Sequence, residues 1–203
     1  MRHLKTIYLY LFKWLYPPIY QTHGTAAPIT ISNLFYQKIL RINHKVYWPA
    51  HFTSKISDVR KIQIGIGTAP GLSSGCYIQG GGGIELGDYT IVAPNVGIIS
   101  ANHDLHDISK HTLKKVSIGD YCWLGMNSVV LPGVALGDFC IVAAGAVVTK
   151  SFSEGYCVIA GNPAKIIKRL EPSLCVKNEN RYKYHGFIKA KCFDEYKRAK
   201  LDV

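Results

Sequence analysis

The sequence predicts an all-β fold, a parallel β-helix solenoid of hexapeptide repeats with helical segments at both ends. A six-residue period fits neither an amphipathic helix nor a continuous alternating strand, and it indicates short strands separated by turns. The residue four positions after each aliphatic residue is mostly small, and glycine and asparagine are present where tight corners need positive φ. The aliphatic residues of the strictest stretch are Ile118, Leu124, Val130, Leu136, Val142 and Val148.

Three hexapeptides make a coil of eighteen residues, so side chains eighteen positions apart should stack. The pairs expected are Ile118 with Leu136, Leu124 with Val142, and Val130 with Val148. A single coil cannot cover its inward side chains, and stacking buries them in one continuous column. The same period occurs earlier, with a slip of two beside the run "GGGG"; its members are Ile66, Leu72, Ile78, Ile84, Leu86, Val92 and Ile98.

The chain has 203 residues and a formal charge of +11, which is concentrated at its ends. Residues 1–60 carry eight Lys/Arg against one acid, residues 165–203 carry eleven against five, and the stretch between them carries five against seven. Basic ends suit phosphates or an anionic membrane. No nucleic-acid motif accompanies the charge, so we expect no nucleic-acid partner. The six cysteines form no CxxC pair, so we expect them to be reduced.

The flanks predict a three-part organisation. Residues 1–55 are predicted to form an N-terminal helical cap, with helices over 4–16 and 32–43. Residues 56–170 are predicted to form the β-helix. Residues 171–203 are predicted to form a basic tail that is helical around 187–200. The apolar run near the N-terminus is too short to span a bilayer and lacks a clear cleavage site. We expect a cytoplasmic protein, with a peripheral membrane contact through the N-terminal segment as an open alternative.

The repeat is interrupted by "ISANHDLHDISKHTLKK", residues 99–115. The interval from Ile98 to Ile118 is twenty rather than six, so about fourteen residues are extruded, as a loop over 104–117. A neutral imidazole can accept a proton near pH 7, which suits His103 for base catalysis. Asp104 or Asp107 could orient that imidazole. The spacing of three histidines also leaves a zinc site open, although no second ligand cluster supports it, and we expect no metal.

Three segments together resemble the left-handed β-helix acyltransferases, specifically the maltose, galactoside and nodulation O-acetyltransferase branch. They are "IELGDYTIVAPNVGIISANHD", "VSIGDYCWLGMNSVVLPGVALGDFCIVAAGAVVTK" and "IAGNPAKIIKRL". The left hand of the helix comes from this resemblance alone. The leader "KVYWPAHFTSKI" looks instead like acetyltransferases of surface-polysaccharide synthesis. The resemblance implies a homotrimer that binds acetyl-CoA between subunits.

The resemblance also implies roles for individual residues. His103 takes the general-base position, Asn95 would help to position the acceptor hydroxyl, and Trp123 matches an aromatic residue near the substrate or cofactor. Beside the resemblance, we place Asp104 among the candidate substrate contacts. Asn95 could equally serve the turn, and Trp123 could equally pack between coils. The backbone N–H of Met126 is our candidate for the oxyanion donor. Small residues would line the pantetheine channel and cations would hold the phosphates of coenzyme A; together these are Gly125, Ala144, Gly145, Thr149, Lys150, Lys165, Lys168 and Arg169.

The function predicted is transfer of an acetyl group from acetyl-CoA to a hydroxyl of a carbohydrate or glycan. An N-acyltransferase acting on an amino sugar and a non-catalytic hexapeptide scaffold remain alternatives. A carbonic-anhydrase-like site would need three zinc histidines on neighbouring coils, and the coils contribute only His103.

Overall fold

The computed structural model describes residues 11–203, and its centre consists of three parallel sheets. Sheet 1 contains, in spatial order, β1 (Lys55–Ser57), β3 (Tyr77–Gln79), β6 (Gly97–Ile99), β11 (Val129–Val130) and β14 (Val147–Val148). Sheet 2 contains β2 (Ile62–Ile64), β4 (Ile84–Leu86), β9 (Val116–Ile118) and β12 (Ala135–Leu136). Sheet 3 contains β5 (Ile91–Val92), β10 (Trp123–Leu124), β13 (Cys140–Val142), β15 (Cys157–Ala160) and the antiparallel β16 (Lys165–Arg169).

From β3 onward the chain visits the three sheets in rotation, which creates three edges where it turns. We call the turns from sheet 1 to sheet 2 the first edge, those from sheet 2 to sheet 3 the second edge, and those from sheet 3 to sheet 1 the third edge. Two short hairpins lie outside these sheets: β7 (Ala101–His103) with β8 (His111–Leu113), and β17 (Tyr184–His185) with β18 (Ile188–Lys189).

The stacked pairs expected from the eighteen-residue period are confirmed. Leu136 pairs with Ile118, Val142 with Leu124, and Val148 with Val130, all in parallel register. These six side chains are at most 3% exposed and belong to one continuous core. The period could predict the pairing because only inward side chains must be apolar, so the apolar residues mark the register.

The first coil departs from the eighteen-residue period. Ile64 pairs with Leu86, twenty-two positions later, and Ile62 pairs with Ile84. Ile66 and Leu72, which continue the six-residue count backwards, are only partly buried. The expectation that they point inward with the others is therefore wrong, because two extra residues lie between β2 and β3 and two more between β3 and β4.

The second edge is built from a repeated Gly-Asp-aromatic turn, at 87–89, 119–121 and 137–139. The Asp138 carboxylate accepts the backbone N–H of Asp120 (2.8 Å), and the Asp120 carboxylate accepts that of Asp88 (2.7 Å). Each aspartate thus satisfies a backbone donor of the preceding coil. Burial raises the pKa of Asp120, and the nearby carboxylates of Asp138 and Asp88 raise it further.

Aromatic rings continue this ladder along the same edge. The rings of Tyr89, Tyr121, Phe139 and Tyr156 stack with centroids 5.2, 5.0 and 5.2 Å apart. All four residues have positive φ, from 45° to 55°. Stacking between coils offsets the backbone strain that these non-glycine residues carry.

The flanks are only partly helical. Residues 11–15 are helical, and the part of the predicted first helix before residue 11 lies outside the described residues. Then follow α1 (Pro17–Thr22), α2 (Ile31–Leu34) and a π-helical turn, Phe35–Ile39. At the other end α3 (Phe193–Lys200) follows β17, β18 and a 3₁₀ turn, so the tail is helical only from residue 193 and not from 187.

The cysteines of the described chain are all free, as expected. Trp123 pairs with Ile141 in parallel register, which places Cys122 beside Cys140 in successive coils. Burial raises the pKa of the Cys122 thiol to about 12. A thiol of this kind is a small core residue and not a nucleophile.

Candidate active site

The interruption of the repeat leaves the solenoid at the first edge and forms a hairpin. Leu86 pairs with Ile118 across thirty-two positions, fourteen more than a regular coil, as the sequence predicted. The extruded arm is an antiparallel hairpin, β7–β8, in which His103 lies opposite His111. Val116 and Ser117, expected in the loop, already belong to strand β9.

His103 is exposed near the tip of this hairpin and is held in one tautomer. Its Nδ1 lies 2.6 Å from the carbonyl oxygen of Ile108, in the turn between the two strands. A carbonyl oxygen can only accept, so Nδ1 carries the hydrogen and, in the neutral ring, Nε2 keeps an unshared electron pair. The ring of His111, on the paired strand, lies beside the His103 ring, with centroids 4.5 Å apart. The side chain is therefore prepared to accept a proton at Nε2.

Neither candidate aspartate orients this imidazole, so that part of the sequence prediction is wrong. The Asp104 carboxylate accepts the backbone N–H groups of His106 and Asp107, which closes the hairpin turn. Asp107 accepts from Ser109 and pairs with Lys110. The orienting group is the Ile108 carbonyl, which no sequence motif can reveal because every residue carries one.

The histidines of the hairpin form no metal centre. Within residues 11–203, no group of three His, Cys, Asp or Glu side chains is arranged to hold a metal ion. Asp107 is committed to Ser109 and Lys110, whose hydrogen bonds lower its pKa.

Asn95 lies on the third edge, in a column of left-handed residues. It has φ 57°, and the equivalent positions in other coils are Gly75 (70°), Asn127 (59°) and Gly145 (71°). Asparagine tolerates this conformation better than most residues, so the turn by itself accounts for Asn95. The amide oxygen of Asn95 covers Gly75, where a Cβ would lie only 2.0 Å from it.

The Met126 N–H, the candidate oxyanion donor, lies on the same edge. Among the described residues it donates no backbone hydrogen bond, whereas the Met126 carbonyl accepts the N–H of Gly145 at 2.9 Å. Ala144 and Gly145 are exposed in the next coil, and a Cβ on Gly145 would meet nothing within 4 Å. Gly125 is small for another reason: a Cβ there would lie 2.7 Å from the Ala144 nitrogen.

Trp123 lies on the outer face of sheet 3 and is 53% exposed. Its register neighbours are Ile91 in the preceding coil and Ile141 in the following one. The indole is thus outside the core and available to a ligand or to another copy of the chain, and both interpretations of Trp123 stay open.

Two of the predicted cations, Lys150 and Arg169, lie together at the end of the solenoid. Thr149 and Lys150 are exposed on the first edge. Lys165, Lys168 and Arg169 lie on β16, the exposed last strand of sheet 3. Lys150 and Arg169 line one depression of ≈ 400 Å³, where Arg169 also pairs with Glu154 at 3.0 Å. Lys165 and Lys168 do not line it.

Two further depressions lie along the first edge, and the sequence did not predict them. One of ≈ 390 Å³ runs along the glycine run at 81–83 and reaches Leu113 of the hairpin. It shares Lys61 and Asp202 with a depression of ≈ 870 Å³ near the start of the solenoid. The "GGGG" run is the signal that could have indicated this groove, because the glycines at 81–83 line it without side chains that would fill it.

Residues 115–150 match the family model described as the hexapeptide repeat of succinyl-transferase. No curated protein matches the sequence. The structure is similar to a maltose O-acetyltransferase from Clostridium difficile 630, with a TM-score of 0.58 and 26% identity over 70% of this chain and 79% of that chain. It is also similar to a galactoside acetyltransferase in complex with coenzyme A, with a TM-score of 0.57 and 22% identity over 83% and 84% of the two chains.

A third similar structure is a hexapeptide-repeat-containing acetyltransferase from Vibrio cholerae O1 biovar eltor, complexed with acetyl coenzyme A. Its TM-score is 0.51 and its identity 21%, over 66% of this chain and 77% of that chain. The two matches below 25% identity support the fold alone.

Residues 115–150 carry the hexapeptide repeat, and the structural matches make the chain similar to hexapeptide-repeat acyltransferases. Within that class it is similar to the branch that contains the maltose and galactoside acetyltransferases.

Proposed function

We propose that this protein moves an acetyl group from acetyl-CoA to a hydroxyl of a carbohydrate, with His103 as general base. The observation that carries the proposal is the fixed tautomer of His103, whose Nδ1–H donates to the Ile108 carbonyl and leaves Nε2 free. The similarity to a maltose O-acetyltransferase supports the acyl donor and the acceptor class.

The reaction needs one proton acceptor and one oxyanion donor. Nε2 of His103 takes the proton of the acceptor hydroxyl as its oxygen attacks the thioester carbonyl carbon. The carbonyl oxygen becomes negatively charged, and the Met126 N–H stabilises it. The C–S bond then breaks, and the imidazolium returns its proton to the departing thiolate, which leaves as coenzyme A.

The positions of these groups support a homotrimer with sites between subunits. His103 lies on the first edge, whereas Met126 and Asn95 lie on the third edge, one side of the solenoid away. Sheet 1 lies between these two edges, and one side of the solenoid is about six residues long. The two edges are therefore roughly 15–20 Å apart, which is too far for one reaction centre within a single subunit. We therefore propose that the first edge of one copy meets the third edge of the next, and that the solenoid winds left-handedly as in the related family.

We assign the phosphates of coenzyme A to the basic end of the solenoid. Lys150 is exposed and forms no ion pair with residues 11–203, although its Nζ lies 5.8 Å from the Phe152 ring centre. A lysine there suits a pyrophosphate or a 3′-phosphate as a mobile point charge. Ala144 and Gly145 leave space for the pantetheine arm.

Lys150→Gln is expected to weaken coenzyme A binding by about tenfold, because a charge-assisted hydrogen bond to phosphate is lost. Isothermal titration calorimetry with coenzyme A measures this directly. Lys177→Gln, which removes an exposed lysine elsewhere on the chain, is the matched control and should bind normally. Equal affinities for both variants would show that the phosphates are held at another place.

The acceptor class is the finer part of the proposal, and we infer a surface polysaccharide or its precursor. The leader segment that resembles polysaccharide acetyltransferases is an integral part of this fold, since Trp48 is fully buried and donates its indole N–H to the Pro70 carbonyl at 2.7 Å.

The test of the function is coenzyme A release from acetyl-CoA in the presence of sugars, nucleotide sugars and polysaccharide fragments. We expect release that depends on one acceptor, with an acetyl ester in the product detected by mass spectrometry. An amide product would overturn O-acetylation. Tight coenzyme A binding with no release for any acceptor would favour a non-catalytic scaffold.

A further inference from the structure

The segment 31–39 has its polarity reversed, with polar side chains buried and apolar side chains exposed. Asn33 and Gln37 are 8% and 1% exposed, whereas Ile31, Phe35 and Ile39 are 42%, 44% and 68% exposed. The three apolar residues recur every fourth position, which places them on one side of the helical segment. We call these three residues the outer face. Burial on the protein's own core cannot explain an apolar face directed to solvent.

Polar contacts hold the segment in this orientation. Gln37 donates from Nε2 to the Trp48 carbonyl at 3.0 Å, and its Oε1 accepts the Ala50 N–H at 3.1 Å. Asn33 donates to the Ala50 carbonyl at 3.4 Å. Two buried amides therefore bind the helix to the leader of the solenoid, and turning the outer face inward would break these hydrogen bonds.

The charged residues of the chain segment that carries the outer face are all positive. Residues 11–50 contain four Lys or Arg and no Asp or Glu. Arg41 and Lys45 follow the outer face and are exposed, as are the neighbouring apolar residues Leu40 and Ile42. Within residues 11–203, neither Arg41 nor Lys45 forms an ion pair.

A second exposed apolar group lies earlier in the chain. Leu11, Trp14 and Leu15 are 57%, 86% and 67% exposed, with Lys13 among them. Tryptophan and lysine side by side are typical of segments that lie at a membrane–water interface. No described helix is both long enough and apolar enough to cross a bilayer.

We propose that the outer face and its basic surroundings dock the protein on the surface of an anionic lipid bilayer. The apolar side chains enter the boundary between headgroups and acyl chains, and Arg41 and Lys45 contact the lipid phosphates. A second copy of the chain placed face to face is a poorer occupant, because residues 11–50 carry four cations and no acid, so two such segments repel each other. This inference does not rest on the proposed acyl transfer, since binding to lipid is measured without any acyl donor.

The test is co-sedimentation of the full chain with vesicles of phosphatidylcholine alone or mixed equally with phosphatidylglycerol. We expect binding to the mixed vesicles only, weakened by added salt. Phe35→Gln/Ile39→Gln and Arg41→Gln/Lys45→Gln should each weaken binding by about tenfold or more. The matched controls, Leu174→Gln/Val176→Gln and Lys191→Gln/Arg198→Gln, change exposed residues of the same types elsewhere and should bind like the wild type.

The proposal fails if the wild type ignores the mixed vesicles, or if the outer-face variants bind as the controls do. It also fails if light scattering shows that Phe35→Gln/Ile39→Gln separates a larger assembly into smaller ones, because the outer face would then be a contact between copies. Unchanged thermal melting of each variant verifies that the fold is retained, and the charge variant tests the proposal without touching the apolar residues.

Discussion

His103→Ala is expected to lower kcat for acceptor-dependent coenzyme A release by about 10²–10⁴-fold, the usual contribution of a general base. The acceptor hydroxyl is a weak nucleophile unless its proton leaves as it attacks. Nε2 of His103 is the group prepared for that proton, because the Ile108 carbonyl occupies Nδ1–H. Steady-state rates measured with saturating acetyl-CoA and acceptor test the prediction.

The matched control is His106→Ala, which removes another exposed histidine of the same hairpin. The His106 backbone N–H donates to Asp104, and the substitution leaves that contact in place. We expect the control to keep nearly full activity and both variants to keep the circular dichroism and coenzyme A affinity of the wild type. A His103→Ala enzyme that turns over normally would remove His103 from the mechanism, and equal losses in both variants would indicate damage to the hairpin.

The regular coils could be predicted from the sequence because burial there acts on single positions. Each hexapeptide directs one aliphatic side chain inward, so the period marks both the strands and their register, and Leu124 beside Val142 followed directly. The first coil could not be predicted in this way. Its length of twenty-two residues is set by the connections from β2 to β3 and from β3 to β4, which are each two residues longer than in a regular coil. Turn residues can be inserted there without changing the apolar character of the strands.

The candidate site was predictable in its location but not in its contacts. The loss of the six-residue period indicated the extruded arm, and the arm carries His103 as expected. The antiparallel pairing inside the arm has no apolar signal, since all three residues of β8 are exposed. The partner of His103 is a backbone carbonyl, and the acidic side chains that the sequence suggested serve the turn instead.

At the second edge the sequence shows where glycine occurs but not why it is required. Glycine follows the aliphatic residue in several hexapeptides, and only the structure shows what a larger side chain would meet there. A Cβ on Gly119 would lie 2.7 Å from the backbone nitrogen of Asp138 and from the carbonyl carbon of Gly137. Gly87 and Gly137 face backbone atoms of the next coil at similar distances. These glycines let successive coils approach, so that each aspartate can accept a backbone N–H of the coil before it.

Gly119→Ala is therefore expected to lower the free energy of unfolding by about 3 kcal/mol or more, at the upper end for overpacking, because two of the three nearest atoms belong to backbone and cannot rotate aside. The nearest, Oδ1 of Asp138 at 2.5 Å, is itself held by the Asp120 N–H. The φ of Gly119 is not positive, so the loss reflects the steric contact and not the backbone conformation. Urea denaturation followed by circular dichroism measures it. Gly81→Ala is the matched control, since its Cβ would meet only side chains at 3.5 Å or more and its φ is also not positive. If Gly119→Ala were as stable as Gly81→Ala, the coils could separate at little cost, and the close approach along the second edge would not be what holds the stack together.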